Sequence, residues 1–151
     1  MESVIIADSS CLIVLHKIGY LQLLQKCYVE VIVTQEIAAE FGQSLPDWII
    51  IRPTPQNLLK LVIEMGIDLG EASALALALE LNECTVVLDD LKARKVAEGL
   101  GIQITGTFGV VASAKQRGII SFAKPIFDLI LETNFRTSKT LVQKILNKLG
   151  E

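Results

Sequence analysis

Val4-Ile5-Ile6-Ala7-Asp8-Ser9-Ser10 decides how the chain is read. Three β-branched residues and an alanine make a short, wholly apolar run, as in a strand buried on both faces. Asp8-Ser9-Ser10 then supplies a helix start. The same grammar returns at Thr85-Val86-Val87-Leu88-Asp89-Asp90, which predicts a strand over 85–88 and a helix running on to Gly99. Further strands are expected over 29–33, over 48–51 as a short edge strand between Pro46 and Pro53, and over 102–105. Helices are expected over 11–26 with a break at Gly19-Tyr20, from a Thr34 cap to Gly42, and over 57–65, 108–117, 122–133 and 138–149. Between them, Gly70-Glu71 opens a helix whose residues 72–79 alternate alanine with serine or leucine; small and apolar on every side, it belongs in the middle of the domain. Short strands alternating with helices predict an α/β fold, a three-layer α/β/α sandwich around a mainly parallel sheet. Ligands of such sheets bind outside the carboxyl ends of the strands, where strand order reverses. If the two aspartate-ended strands are neighbours, Asp8, Asp89 and Asp90 meet at one edge.

The 151 residues suit a single domain spanning 1–151, large enough to bury a core without staples. With 51% hydrophobic and 21% charged residues, disorder is excluded. No apolar run approaches the roughly 18 residues of a membrane span. The Met-Glu-Ser start lacks the basic opening of an export signal. Cys11, Cys27 and Cys84 are odd in number and form no C-x-x-C pair, so a reducing cytoplasm is expected rather than a disulfide framework or zinc site. His16 is the only histidine, which leaves carboxylates as the main chemistry. Residues 1–90 carry 4 basic and 13 acidic side chains, and residues 91–151 carry 10 and 4. An acidic region meeting a basic one suits a cation site beside a polyanion.

Each acid has a plain alternative. Asp8 and Asp90 suit helix N-caps, Asp89 a turn, and Glu71 a capping box with Asp68. On a helical wheel Glu40 falls at the edge of the apolar face of its helix and Glu36 further out, so Glu36 reads as the solvated charge. Several strand-end or helix-start acids in one small domain nonetheless call for a compensating cation. All-oxygen ligands select Mg²⁺ or Mn²⁺, ions suited to phosphoryl chemistry.

The ordered set of motifs resembles the PIN-domain nucleases over nearly the whole chain. Val-Ile-Ile-Ala-Asp8-Ser-Ser10 is similar to the family's opening strand, Asp and hydroxyl residue. Thr34 through Glu40-Phe41, Gly70-Glu71-Ala72, and Val86-Val87-Leu88-Asp89-Asp90 with Ala93-Arg94 resemble its second, third and fourth motifs. Gly106-Thr107 through Ala114-Lys115 and Gly118, Phe135 to Ser138 and the closing Leu-Gly-Glu are similar to a toxin-like prokaryotic subgroup. The resemblance implies a metal-dependent ribonuclease in which Asp8, Glu40, Glu71 and Asp90 are catalytic and hold Mg²⁺ or Mn²⁺. The resemblance puts Asp90 in the catalytic place of the fourth motif and leaves Asp89 beside it as the other candidate ligand. Leu88 stands where the fourth motif usually has Thr, so the hydroxyl contribution is either missing or comes from Ser10 or Thr107. The resemblance also implies an RNA substrate and, as in many such proteins, a small antitoxin partner and a homodimer. Lys92, Arg94, Lys95, Lys115 and Arg117 are candidate phosphate contacts. Setting aside the five acids, the net charge is +2, which suits RNA once cations fill the site.

A non-catalytic module binding nucleic acid or a partner is the competing class, and binding without metal-dependent cleavage is its mark. A receiver domain wants an acidic pair after the first strand, and a haloacid-dehalogenase-type phosphatase wants Asp-x-Asp there. Asp8-Ser9-Ser10 supplies neither.

Overall fold

A computed structural model describes residues 2–151; Met1, which opens the stretch read against an export signal, lies outside the described residues. The strands are β1 (Glu2–Ile6), β2 (Tyr28–Thr34), β3 (Ile49–Arg52), β4 (Thr85–Val87) and β5 (Gln103–Thr105). They pair in parallel throughout, in the order β3-β2-β1-β4-β5. Helices cover both faces, as an all-parallel sheet requires, and the result is a three-layer α/β/α sandwich. The chain runs outward from β1 to β3, returns to the other side of β1 and continues to β5. Strand order therefore reverses between β1 and β4, which are neighbours with Ile5 opposite Thr85 and Ile6 opposite Val86.

Local sequence accounts for most boundaries. Ile5, Ile6 and Ala7 are fully buried. Asp8 caps α1 (Ser9–Lys17), its Oδ1 accepting the Cys11 N–H at 3.0 Å. The expected break falls at Gly19, whose φ of +81° is left-handed, and α2 (Gln22–Cys27) follows. Thr34 caps α3 (Gln35–Phe41), which ends at Gly42 with φ +71°. His16 lies exposed, edge-on against Phe41 with ring centroids 5.7 Å apart.

Next come α4 (Gln56–Ile63), α5 (Leu69–Leu81), α6 (Leu91–Gly99), α7 (Thr107–Gln116), α8 (Lys124–Leu131) and α9 (Lys139–Lys148). Every residue of α5 from Ala72 to Ala78 is buried. Its alanines let α3, α4, β2 and β4 approach closely. A directed chain of hydroxyls ties its first turn to α3. Ile37 N–H donates to Thr34 Oγ1 at 3.1 Å, and the Thr34 and Ser73 hydroxyls are 2.7 Å apart. Ser73 spends its one proton on the Gly70 carbonyl at 2.7 Å, so Thr34 is the donor between the two hydroxyls.

In the C-terminal helix Val142 and Leu146 are buried, Ile145 and Leu149 pack partly buried against the core, and Leu141 is 51% exposed. Glu151 accepts from Lys115 Nζ at 2.7 Å and from the Ala123 and Lys124 N–H groups at 2.9 Å. The Lys115 hydrogen bond leads in holding the Glu151 carboxyl down at about 2. Among the described residues no helix is long and apolar enough to cross a membrane.

Candidate metal and nuclease centre

Parallel strands deliver the helices that follow them to one edge, so α1 after β1, α6 after β4 and α7 after β5 all begin at the carboxyl edge of the sheet. Helix N-termini present free N–H groups and the positive end of a dipole, which favours carboxylates there. Asp8, 5% exposed, follows β1, and its Oδ2 accepts the Ser10 hydroxyl at 2.9 Å. Asp89 and Asp90 follow β4. Asp89 is gripped on both oxygens, by the Thr107 N–H at 2.9 Å and the Thr107 hydroxyl at 2.6 Å. That contact binds the end of β4 to the start of α7 across Gly106, where a Cβ would lie 3.0 Å from Asp89 Oδ1. Arg94 donates to the Leu88 carbonyl at 2.6 Å, and its charge draws Asp89 down. Asp90 is exposed and caps α6 through the Ala93 N–H at 3.0 Å.

Two acids arrive from elsewhere. Glu71 stands in the first turn of α5, its N–H capped by Asp68 at 2.9 Å. Glu40 reaches from α3, accepts the Ser9 hydroxyl at 3.2 Å, and lays its carboxylate where any side chain at Gly70 would collide with it. The wheel ordering of Glu36 and Glu40 is corrected here. Glu40 is exposed by area, whereas Glu36 is partly buried and accepts the Thr54 hydroxyl at 2.5 Å. A wheel records only the helix's own axis and misses Thr54, which the segment after β3 brings alongside.

The electrostatics are those of crowded, uncompensated anions. Burial first, then the Asp89 charge, pushes Asp8 from an ordinary 3.8 to about 7, against the pull of the Cys11 N–H and the Ser10 hydroxyl. Burial, then Asp68, Asp90 and Asp8 push Glu71 from 4.5 to about 8. Burial raises Asp89, and the Thr107 bonds and Arg94 restrain it. Directly beneath, burial and the charges of Asp8 and Asp89 drive the fully buried Cys11 thiol well above its ordinary range, so it stays protonated. Among the described residues no three His, Cys, Asp or Glu side chains form a group that holds a metal ion as they stand. In donor chemistry the residues still fit a hard divalent cation. They are carboxylates that repel one another and that a positive charge would bring back to ionised form.

Asp68, Glu71, Asp89 and Asp90 line a cleft of about 1400 Å³. Lys92 and Arg94 line it too, and the Lys92 ammonium crosses to the loop before α5, where a Cβ on Gly66 would lie 2.9 Å from Nζ. Lys95 is exposed on α6. Lys115 and Arg117 are not brought here. They sit at the opposite end of α7 and bind Glu151, the Leu149 carbonyl and the Cys27 carbonyl. Asp68 is the acid that sequence reading passed over. It looked like a cap, which it is, and only the fold shows that its charge also acts on Glu71.

A family model for the PIN domain matches residues 4–151. PIN domains are in general metal-dependent nucleases. No curated protein matches the chain.

Proposed function

Because the chain belongs to the PIN-domain family, we propose that it is a Mg²⁺- or Mn²⁺-dependent ribonuclease centred on the acids at the β1–β4 edge. One observation carries this reading. Asp8 and Glu71, from different elements, are both driven to near-neutral proton affinity beside Asp89 and Asp90, at the point where strand order reverses. Asp8, Glu71 and Asp90 would hold the main cation, and Asp89 is the further donor. When bound, the cation activates water and offsets charge on the leaving oxygen. Glu40 completes a second site or orients the water. The Ser10 and Thr107 hydroxyls fix the carboxylates of Asp8 and Asp89, and Lys92, Arg94 and Lys95 meet backbone phosphates. Within this reading the protein is the toxin of a toxin–antitoxin pair, on the strength of the motif resemblance in its second half.

The test is incubation of the purified protein with a mixed RNA pool in Mn²⁺, Mg²⁺ or EDTA. Fragments in either metal and none in EDTA are expected. Intact RNA in all three, with RNA still bound, would give the protein to the non-catalytic class.

A further inference from the structure

Asp68, Glu71, Asp89 and Asp90 line the cleft, and a further part of its lining comes from a stretch of chain that holds none of these acids. It is the turn over 133–138 between α8 and α9, backed by Phe108 and flanked by Leu141. The turn is built to keep its shape. The Thr133 hydroxyl donates to the Ile130 carbonyl at 2.6 Å and accepts the Phe135 N–H at 3.1 Å, and Ser138 caps α9. Phe135 packs edge-on against Phe108 at 5.8 Å between centroids, and Phe108 against the fully buried Phe127 at 4.8 Å. Phe135 is therefore a partly exposed ring standing on a buried aromatic stack. Beside it Asn134, Arg136 and Thr137 line the cleft, and their side chains make no hydrogen bond within the described residues. Lys17 and Lys92 add positive charge around the same opening.

An aromatic ring next to an unpaired amide, hydroxyl and guanidinium has the chemistry of a nucleobase site. The ring stacks on any base, the amide and hydroxyl bond its edge, and the cations meet the flanking phosphates. A helical partner would want a continuous apolar face, and here polar side chains interrupt it. We infer that the 133–138 turn is a base-reading subsite. It takes one unpaired base of single-stranded RNA beside the scissile bond, stacks it on Phe135, and bonds it through Asn134 and Thr137. The choice of RNA as occupant rests on the ribonuclease reading.

The test is fluorescence anisotropy with the Asp8→Asn protein, so that RNA stays intact. The probes are a fluorescein-labelled single-stranded RNA octamer and the same ribose-phosphate backbone without bases. The RNA is expected to bind at least about ten-fold more tightly. Asn134→Ala with Thr137→Ala, which leaves the Phe135 ring in place, should narrow that difference without abolishing it and leave the abasic strand's affinity unchanged. Equal binding of the two strands, equal losses on both, or binding of neither would overturn the subsite. Neither-strand binding would leave the turn to a protein partner. Sequencing the cut ends of a randomised pool keeps the two readings apart. Cleavage with no base preference, or with one the double variant retains, sinks the subsite and leaves the ribonuclease standing. An uncut pool with tighter binding of the based strand does the reverse.

Discussion

Asp8→Asn is expected to lose metal-dependent RNA cleavage by about 100-fold or more, and yet to melt at a higher temperature than the parent at pH 8 in EDTA. The first effect follows because the cation's help to the transition state is worth several kcal/mol, with each 1.4 kcal/mol a factor of ten in rate. The second follows from the position of Asp8. At pH 8 the parent holds an ionised carboxylate that is 5% exposed beside Asp89. Lifting its proton affinity from 3.8 to about 7 is a penalty of about 4 kcal/mol once the group is ionised. Asparagine removes the charge and keeps an oxygen for the Cys11 N–H, so the α1 cap survives. Burying the new amide takes back part of the gain, which leaves about 2–3 kcal/mol, or on the order of 5–10 °C for a chain of this length. Calorimetric melting and the RNA-pool assay read the two effects. A variant that cuts like the parent, or that melts below it in EDTA, contradicts the assignment.

The parent's stability in EDTA should fall as pH rises from about 4 to about 8. For both Asp8 and Glu71 the folded proton affinity lies above the unfolded one, at about 7 against 3.8 and about 8 against 4.5. Between those values the native state binds more protons than the unfolded chain, so unfolding free energy decreases with pH. The stabilisation is complete below about 4 and is lost as pH passes through 7 and 8. Asp8 alone accounts for about 4 kcal/mol of that loss. Glu71, more open to water, adds less than its shift suggests. Saturating Mn²⁺ should flatten the slope, because a bound cation takes the place of the protons. Melting temperatures at pH 5 and pH 8, with and without Mn²⁺, decide the matter. A flat or rising profile in EDTA would show that the two acids are not held as described.

Much of this edge is legible in the sequence because strands and helices announce their ends chemically. Apolar runs closing on Asp8 and on Asp89-Asp90 predict both strand ends and both helix starts, and Thr34 and Asp68 read as caps. That β1 and β4 are neighbours is only a condition in the sequence, and it is the pairing of Ile5 with Thr85 and Ile6 with Val86 that supplies it. What stayed illegible depends on pairs far apart in the chain. Thr107 grips Asp89 across 18 residues, Ser9 meets Glu40 across 31, and Arg117 reaches the Cys27 carbonyl across 90. No local periodicity encodes such contacts. For the same reason the basic half of the chain misled. Lys115 and Arg117 look like phosphate contacts in a list of charges, but packing commits them to Glu151, the Leu149 carbonyl and Cys27, while Arg136, which the sequence did not single out as a phosphate contact, lines the cleft.

The most direct test of the central claim, that the β1–β4 acids form one cation centre, is a calorimetric Mn²⁺ titration of the parent and Asp8→Asn at pH 7 in two buffers of different ionisation heat. The account predicts saturable binding by the parent with proton release, seen as a buffer-dependent heat. Asp8→Asn should bind at least ten-fold more weakly and release fewer protons. Absence of binding at millimolar Mn²⁺, or equal affinity and equal proton release in the two proteins, would contradict it.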